Sequence, residues 1–535
     1  MSGVFRLASP CGFHYAPLMY KFLLCWRYLL TRYIALISIV SVMLGVTIMI
    51  VTNAVMLGFA TEMENRIHGI LADITFQSHD LNKGFPDYEW HRELILEAAG
   101  GLIEELTPVV YTMGMITYRA NGTGDPVCMP VDIFGIDPKT QCKVSEIAKY
   151  LQHPENRKAL SFDLRQGGYD VIGSGRKEDA PHRFAMSYAG WKYRQSRAEQ
   201  EKRRREMFEA AQSDAPPQNG LPEDPFQSLP QQEPNIFDPA KHQHNGIVIG
   251  IGISLFQREK QFDKETGKEI VVDDLLLLPG DDVMLTFPTS DLRTQIKNDS
   301  FTVVDLYESK MVEYDRKLVF VPIERLQRLR GMVDADTGKY TLTQILIKVK
   351  PGANLNEVRD RLRRVFPPQL FSIKTWRDEQ AMLLSAVFNE LAMLNVILFL
   401  ILAVAGFGIL AIFYMIVTEK QKDIGILKAL GAGSGGIMQI FLYYSLLLGI
   451  VGSSLGLGLG LLIIKYVREI AHVLSVILGS EVFSPEIYSF YEIPTAVHVP
   501  TVIGIMIGAV VIAVTAGVLP ALRAARVQPV ESLRS

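Results

Sequence analysis

Two histidines and two Gly-Lys pairs come nearest to a chemical site in this 535-residue chain. His242 and His244 stand at i and i+2, a spacing that sends them to opposite faces of a strand, and their segment lacks the further ligands a metal ion needs. Gly338-Lys339 is followed by Tyr340, with Val333 where a phosphate-binding loop keeps its first glycine, and Gly267-Lys268 is followed by Glu269. Neither pair can cradle a nucleotide's phosphates and offer magnesium a hydroxyl. No His-Glu-x-x-His helix occurs. The expectation is a chain with no catalytic residues, no metal and no cofactor of its own, so that any ATP it depends on is hydrolysed by a partner.

What remains is the chemistry of recognition. "EKQKDIGILKALGAGSGG", residues 419–436, sets five charged residues and five glycines between two charge-free runs, 391–418 and 437–464, of 28 residues each. Ile424, Leu427 and Leu430 recur at i, i+3 and i+6, an apolar stripe on about three turns of helix. Glu419 and Asp423 fall in its early turns and Lys428 in its last, the sense a helix dipole favours. Gly431 is placed to end it. With Lys420 and Lys422, these residues form a candidate docking helix from Glu419 to Leu430. Alone in water it is marginal, being shorter than the ~12–15 residues at which isolated helices begin to hold. It needs a surface, and either the lipid interface or a groove in a cytoplasmic partner meets that need.

The elements that must position this loop are membrane spans. The chain exceeds one compact core, and a mean hydropathy of +0.17 with 21% charged residues implies apolar spans joined to a water-soluble domain. Four runs suit a hydrocarbon core that takes roughly 20 helical residues: 33–61, 391–418, 437–464 and about 499–519. The first, 29 residues without a charge, is too long for a cleaved signal peptide and reads as an anchor. Ten Lys and Arg residues flank the spans on one side: Arg6, Lys21, Arg27, Arg32, Lys420, Lys422, Lys428, Arg523, Arg526 and Arg534. Only Lys465 and Arg468 lie between the third and fourth spans. The asymmetry puts both termini and the 419–436 loop in the cytoplasm and residues 62–385 outside. No span carries an Asp, Glu, His, Lys or Arg, and Asn53 and Asn395 are among the most polar members, which argues against an ion-coupled transporter or a channel. A net charge of −3 gives no sign of nucleic acid as a partner.

The expected fold class is therefore a membrane α-helical protein of four transmembrane helices, with a large external α+β domain inserted between helices 1 and 2. The domains run 1–32 (cytoplasmic segment), 33–61 (span one), 62–385 (external domain), 386–418 (span two), 419–436 (cytoplasmic helix and loop), 437–464 (span three), 465–498 (external loop), 499–519 (span four) and 520–535 (cytoplasmic tail). Alternation predicts strands at 73–78, 131–136, 247–253, 281–287, 301–307 and 343–350, and helical periodicity marks 88–99, 322–331 and 354–365, the last capped by Asn354. An insertion at about 176–245 stands outside that core: seven basic and four acidic residues between Lys192 and Glu209, then seven prolines between Ser213 and Ala240. A solvated helix and an extended linker are expected there, in preference to a grip on anionic lipid. Cys128 and Cys142, both external, are open to bridging or to remaining free thiols. From Arg377 to Thr418 there is no proline, so a rod of about 63 Å at ~1.5 Å per residue is expected, twice a bilayer core. With 60–71 extending span one, both links to the external domain read as stiff stalks.

Several stretches resemble the lipoprotein-releasing (Lol) permeases within the FtsX/MacB-like class of ABC transporter membrane subunits. They are "ISIVSVMLGVTIMIVTNAVMLGF" (37–59), "GIVIGIGISL" (246–255), "MVEYDRKLVFVPIERLQRL" (311–329), "TWRDEQ" (375–380), "EKQKDIGILKALGA" (419–432) and "LPALRAARVQPVESLR" (519–534). The resemblance implies an inner-membrane permease that works in pairs, as two copies or with a paralogue, driven by a separate cytoplasmic ABC ATPase. The ATPase's closure is relayed through Glu419–Leu430 as coupling helix, and lipoproteins are drawn from the outer leaflet, with a periplasmic lipoprotein carrier as a possible recipient. A MacB- or FtsX-type efflux or signalling permease is the alternative within the class, and a membrane-anchored scaffold the alternative outside it. Gly452, Gly456 and Gly460, spaced by four in span three, suit dimerisation or packing against the chain's own spans. Met56, Leu57 and Phe59 with Phe388, Leu391 and Leu394 are the candidates for holding cargo acyl chains, against the plain alternative that they face lipid.

The basic asymmetry makes a direct prediction. A cysteine at position 425 should be shielded from a membrane-impermeant thiol reagent in intact cells, while one at position 200 should be labelled; protection of position 200 would overturn this topology.

Overall fold

The computed structural model describes residues 33–119, 126–169, 182–213, 237–262, 269–290, 295–309, 311–334, 338–478 and 493–528. The expected cytoplasmic segment 1–32 and most of the Pro-rich stretch lie outside these. The helices of eight residues or more are α1 (Tyr33–Ile70), α2 (Tyr88–Ala99), α3 (Trp191–Ser213), α4 (Ile323–Arg330), α5 (Leu355–Val365), α6 (Ala381–Glu419), α7 (Gln421–Ala429), α8 (Ser434–Lys465), α9 (Val467–Leu478) and α10 (Val499–Arg526). The strands are β1 (Ile74–Ser78), β2 (Ile103–Arg119), β3 (Pro126–Ile136), β4 (Asn245–Gly250), β5 (Leu255–Phe262), β6 (Glu269–Leu275), β7 (Asp282–Pro288), β8 (Ile296–Tyr307), β9 (Leu318–Pro322), β10 (Gln344–Val349) and β11 (Phe371–Thr375). The chain divides into two units, one formed by 1–63 with 382–535 and the other by 64–381.

In the first unit, α1, α6, α8 and α10 are long and apolar enough to cross a membrane. With 38 and 39 residues, α1 and α6 reach about 57 and 58 Å at ~1.5 Å per residue. The rod expected from Arg377 is shorter than that reading. Thr375 and Asp378 form a reciprocal capping box on a single turn, Trp376–Glu379, which stops at Gln380 before α6 opens at Ala381. Hydrophobicity is nearly uniform around these helices, so burial follows fit. Val42, Val46 and Ile50 of α1, Leu402, Ile409 and Phe413 of α6, Leu447 and Leu448 of α8, and Ile505, Ala509 and Ala513 of α10 form one cluster.

The second unit is built on a nine-stranded sheet of order β11-β1-β10-β2-β3-β9-β4-β8-β7, in which β2 also pairs with β7. The extra pairing closes β2, β3, β9, β4, β8 and β7 into a ring, with β10, β1 and β11 continuing from the first half of β2. Most neighbours run antiparallel, but β3 with β9 and β4 with β8 are parallel. Gly114 makes the closure possible: a Cβ there would stand 2.6 Å from both Ile133 Cδ1 and the Thr286 carbonyl oxygen, where β3 and β7 converge on β2. The strands and helices expected here appear, with Asn354 accepting the Asn356 N–H as the cap of α5. One strand is cut short. The run expected at 247–253 ends at Gly250, whose backbone lies against the Asp315 carbonyl, and a helical turn, Ile251–Ser254, follows. Cys128 and Cys142 are free thiols, and Thr117 Oγ1 lies 3.3 Å from the Cys128 sulfur.

The insertion is a correction. Its early residues belong to the core: Met186 and Ala189 are buried in the main cluster and Tyr193 packs against it. Arg194 donates to both Asp282 oxygens, at 2.7 and 3.0 Å, and to the Gly280 carbonyl. Arg197 pairs with Asp281. Past these anchors α3 is solvated, as the charge run suggests, with Lys202, Arg203 and Arg204 exposed.

Arg183, just before them in the chain, is anchored as deeply as Arg194. Its side chain is 3% exposed and donates to Asp273 at 2.9 Å, to Gln152 at 3.0 Å and to the two Glu308 oxygens at 3.0 and 2.7 Å. Removing one member of such a buried cluster leaves uncompensated charge, at a cost of about 3–5 kcal/mol. Arg183→Ala should therefore lower the thermal unfolding midpoint of the full chain in detergent by several degrees. An unchanged midpoint would show that the cluster contributes no stability.

Candidate functional site

The candidate docking helix is α7, joined to α6 by the single residue Lys420. Glu419 thus ends α6, and Leu430 is the C-terminal cap of α7. Gly431 stops the helix at φ +96°. Its N–H donates to the Lys428 carbonyl and that of Ala432 to the Leu427 carbonyl, both at 3.0 Å, the paired closure of a Schellman motif. Lys420 Nζ and Asp423 form an ion pair of 2.5 Å across the first turn.

The apolar stripe read from the sequence divides in two. Ile424 is 4% exposed and packs with Val417 of α6, Ile437 of α8 and Ala524 of α10. Leu427 and Leu430 face away, 47% and 80% exposed, and Ile426 joins them at 48%. The charged residues divide likewise. Glu419, Lys422 and Asp423 are exposed, whereas Lys428 turns inward and its ammonium donates to the carbonyls of Ala525 and Val527 at 2.6 and 2.8 Å. These are carbonyls at the C-terminal end of α10, where a helix presents unsatisfied acceptors and negative partial charge. The result is a short helix seated by Ile424, tied by Lys428 and closed by Gly431, with an apolar ridge of Ile426, Leu427 and Leu430 left uncovered. Spacing at i, i+3 and i+6 could not give Ile426 its place, because that depends on which side the seat takes.

The glycines of α8 face α1 of the same chain. A Cβ at Gly452 would lie 2.8 Å from Val42 Cβ, one at Gly456 2.8 Å from both the Met43 carbonyl oxygen and Val46 Cβ, and one at Gly460 3.3 Å from Ile50 Cγ2. Thr47 Oγ1 donates to the Gly456 carbonyl at 3.1 Å, a buried bond between the two spans. Internal packing is therefore what this stripe does here.

At the opposite end of the bundle from α7 is a cavity of about 200 Å³. Ile50, Asn53, Ala54 and Leu57 of α1 line it with Leu391 and Asn395 of α6, and the segment 496–498 with Thr501, Val502 and Ile505 of α10 completes it. The segment is held by an Ala496 N–H bond to the Ala54 carbonyl, 2.9 Å. Of the six candidates for contact with acyl chains, Leu57 and Leu391 line this cavity. Met56, Phe59, Phe388 and Leu394 do not, and Phe388 is exposed. Its polar members are Asn53, Asn395, His498 and Thr501, with His498 Nδ1 3.0 Å from Thr501 Oγ1. The sequence marked Asn53 and Asn395 as among the most polar span residues without showing that they share a cavity. Among the described residues, no group of three or more His, Cys, Asp or Glu is arranged to hold a metal; His244 stacks on Phe237 at 3.9 Å.

Residues 395–529, which include α7, α8 and α10, match the FtsX-like permease C-terminal family. Over 504 residues, 94% of this chain and 94% of the relative, the sequence is 24% identical to the lipoprotein-releasing system transmembrane protein LolC of Xylella fastidiosa. It is 27% identical to LolE of Haemophilus influenzae over 31% of this chain and 40% of that protein. To the macrolide export ATP-binding/permease protein MacB of Neisseria gonorrhoeae it is 27% identical over 37% of this chain and 28% of that protein. The C-terminal part of the chain thus matches the FtsX-like permease family, and nearly the whole chain is similar to a lipoprotein-releasing system transmembrane protein of the LolC type.

The contact between α8 and α1 can be tested with an internal control. Gly456→Val overpacks it and should lower the thermal midpoint in detergent, overpacking costing about 1–3 kcal/mol. Gly458→Val carries the same helix propensity change but meets nothing within 4 Å. Equal effects of the two substitutions would show that the close approach is not what the glycine serves.

Proposed function

We propose that this chain is the membrane subunit of an ABC transporter that extracts lipoproteins from the outer leaflet of the inner membrane, driven mechanically by a separate ATPase. The observation that carries the reading is the uncovered ridge of Ile426, Leu427 and Leu430 on a helix otherwise fastened into the bundle. A lipid-resting helix needs no such fastening, because the interface itself orders it. A helix that must receive force does need it, since a loose one absorbs displacement by moving in its seat. In this reading the ATPase groove takes the ridge, and α7 passes its movement to α6, α8 and α10. The long α1 and α6 act as stalks toward an external domain, and the permease works as a pair. The similarity to LolC over 94% of both chains supports lipoproteins as cargo in preference to a macrolide-type substrate. Leu57 and Leu391, with the polar groups beside them, then line the entry for an acylated N-terminus, and a periplasmic carrier receives the product.

Leu427→Asp tests the reading, with Ile424→Asp as its counterpart. A carboxylate forced into an apolar groove costs ~2–5 kcal/mol if it stays charged and unpaired. Since each ~1.4 kcal/mol is tenfold in affinity, recovery of the co-purifying ATPase should fall by more than an order of magnitude while the permease remains folded. Ile424→Asp, placed inside the seat, should instead lower the yield of folded permease. Equal recovery of ATPase with Leu427→Asp and with the parent chain would remove α7 as the coupling element.

A further inference from the structure

Directly after the third span comes an element that the proposed transport mechanism does not use. Lys465 ends α8, Tyr466 is the only residue between them, and α9 then runs Val467–Leu478. Placed at 100° per residue, Val467, Ile470, Ala471, Val473, Leu474, Ile477 and Leu478 fall within one continuous arc of roughly 160°. Arg468, Glu469 and Ser475 fall on the other side. Among the described residues of its own unit, most of the apolar arc is left uncovered: Ile470 is 44% exposed, Val473 57%, Leu474 41%, Ile477 73% and Leu478 59%. Exposure on this scale along a twelve-residue helix requires an occupant.

We propose that α9 lies flat on the membrane, its apolar arc sunk into the headgroup–acyl boundary of the leaflet opposite the one nearest α7. Its place in the chain selects lipid. A helix separated by one residue from the end of a membrane span starts at the depth of the interface, so its apolar arc is continuous with surface already in hydrocarbon. Lys465 and Tyr466 mark that depth, the ammonium 5.5 Å from the ring centroid, the residue types that anchor spans at the water boundary. Arg468 and Glu469 on the opposite arc suit the water side. Amphipathic helices of this kind bury their apolar face ~5–10 Å below the surface. The structure therefore assigns to α9 the role of a float that fixes the outer end of α8 at one depth. This holds whichever cargo the bundle carries.

The experiment uses the full chain with Cys11, Cys25, Cys128 and Cys142 replaced by serine, reconstituted in vesicles of phosphatidylethanolamine and phosphatidylglycerol. A polarity-sensitive bimane is attached at Ile477→Cys, at Val473→Cys or at Glu469→Cys. Probes at 477 and 473 should be quenched several-fold more strongly by a phospholipid carrying a shallow nitroxide than by aqueous iodide, and the probe at 469 should show the reverse order. Iodide reaching 477 and 473 as readily as 469 would place the apolar arc in water and overturn the proposal. Protection of both positions from both quenchers would overturn it in favour of a protein occupant such as a second copy of the chain.

Discussion

Span three can lie against span one only because Gly452, Gly456 and Gly460 give up their side chains along one line, and the remainder of the bundle depends on that contact. Between helices in hydrocarbon there is no water to expel, so association rests on closeness of fit and on the few polar groups that can reach across. Here fit brings a backbone within reach of Thr47, whose hydroxyl closes on the Gly456 carbonyl. With α8 set against α1 in this way, its first turn presents Ile437 beside Ala524 of α10, and the pair forms the seat for Ile424. The position of α7 is thus decided partly by glycines some thirty residues further along the chain.

The membrane part was legible because its signals are long and simple. Charge-free runs and a glycine-closed helix between two spans can both be read without knowing what touches what. In the second unit the same holds for α2 and α5, amphipathic helices recognisable by their periodicity. It fails for β2. That strand contains Pro108 and Gly114 and changes surroundings midway, pairing first with β10 and then with β3 and β7, so no single alternation runs along it. The ring closes through residues some 170 positions apart in sequence, which a local pattern cannot reveal.

The insertion misled for a related reason. A run rich in Arg and Lys reads as solvated unless the carboxylates that receive it are known, and these come from Asp273, Asp281, Asp282 and Glu308. Arg183 and Arg194 are buried, and Arg197 is held half-buried, by partners lying some 85 to 125 residues further on. The cavity among α1, α6 and α10 shows the same limit on a smaller scale. Asn53 and Asn395 were conspicuous in their spans, but His498 and Thr501 reach the site from the start of α10, where nothing in the local sequence singles them out.

The bond from Lys428 to the end of span four changes how the two ends of the permease domain are related. Ala525 stands in the last turn of α10 and Val527 is its cap, yet they hold the ammonium of a residue almost a hundred positions earlier. The helix α7 and the C-terminal end of α10 are therefore one joint. A displacement of α7 that spares the joint must carry the end of span four with it, and one that leaves span four behind must first break two charge-assisted hydrogen bonds. The last turn of span four and its cap are in that sense a latch on α7.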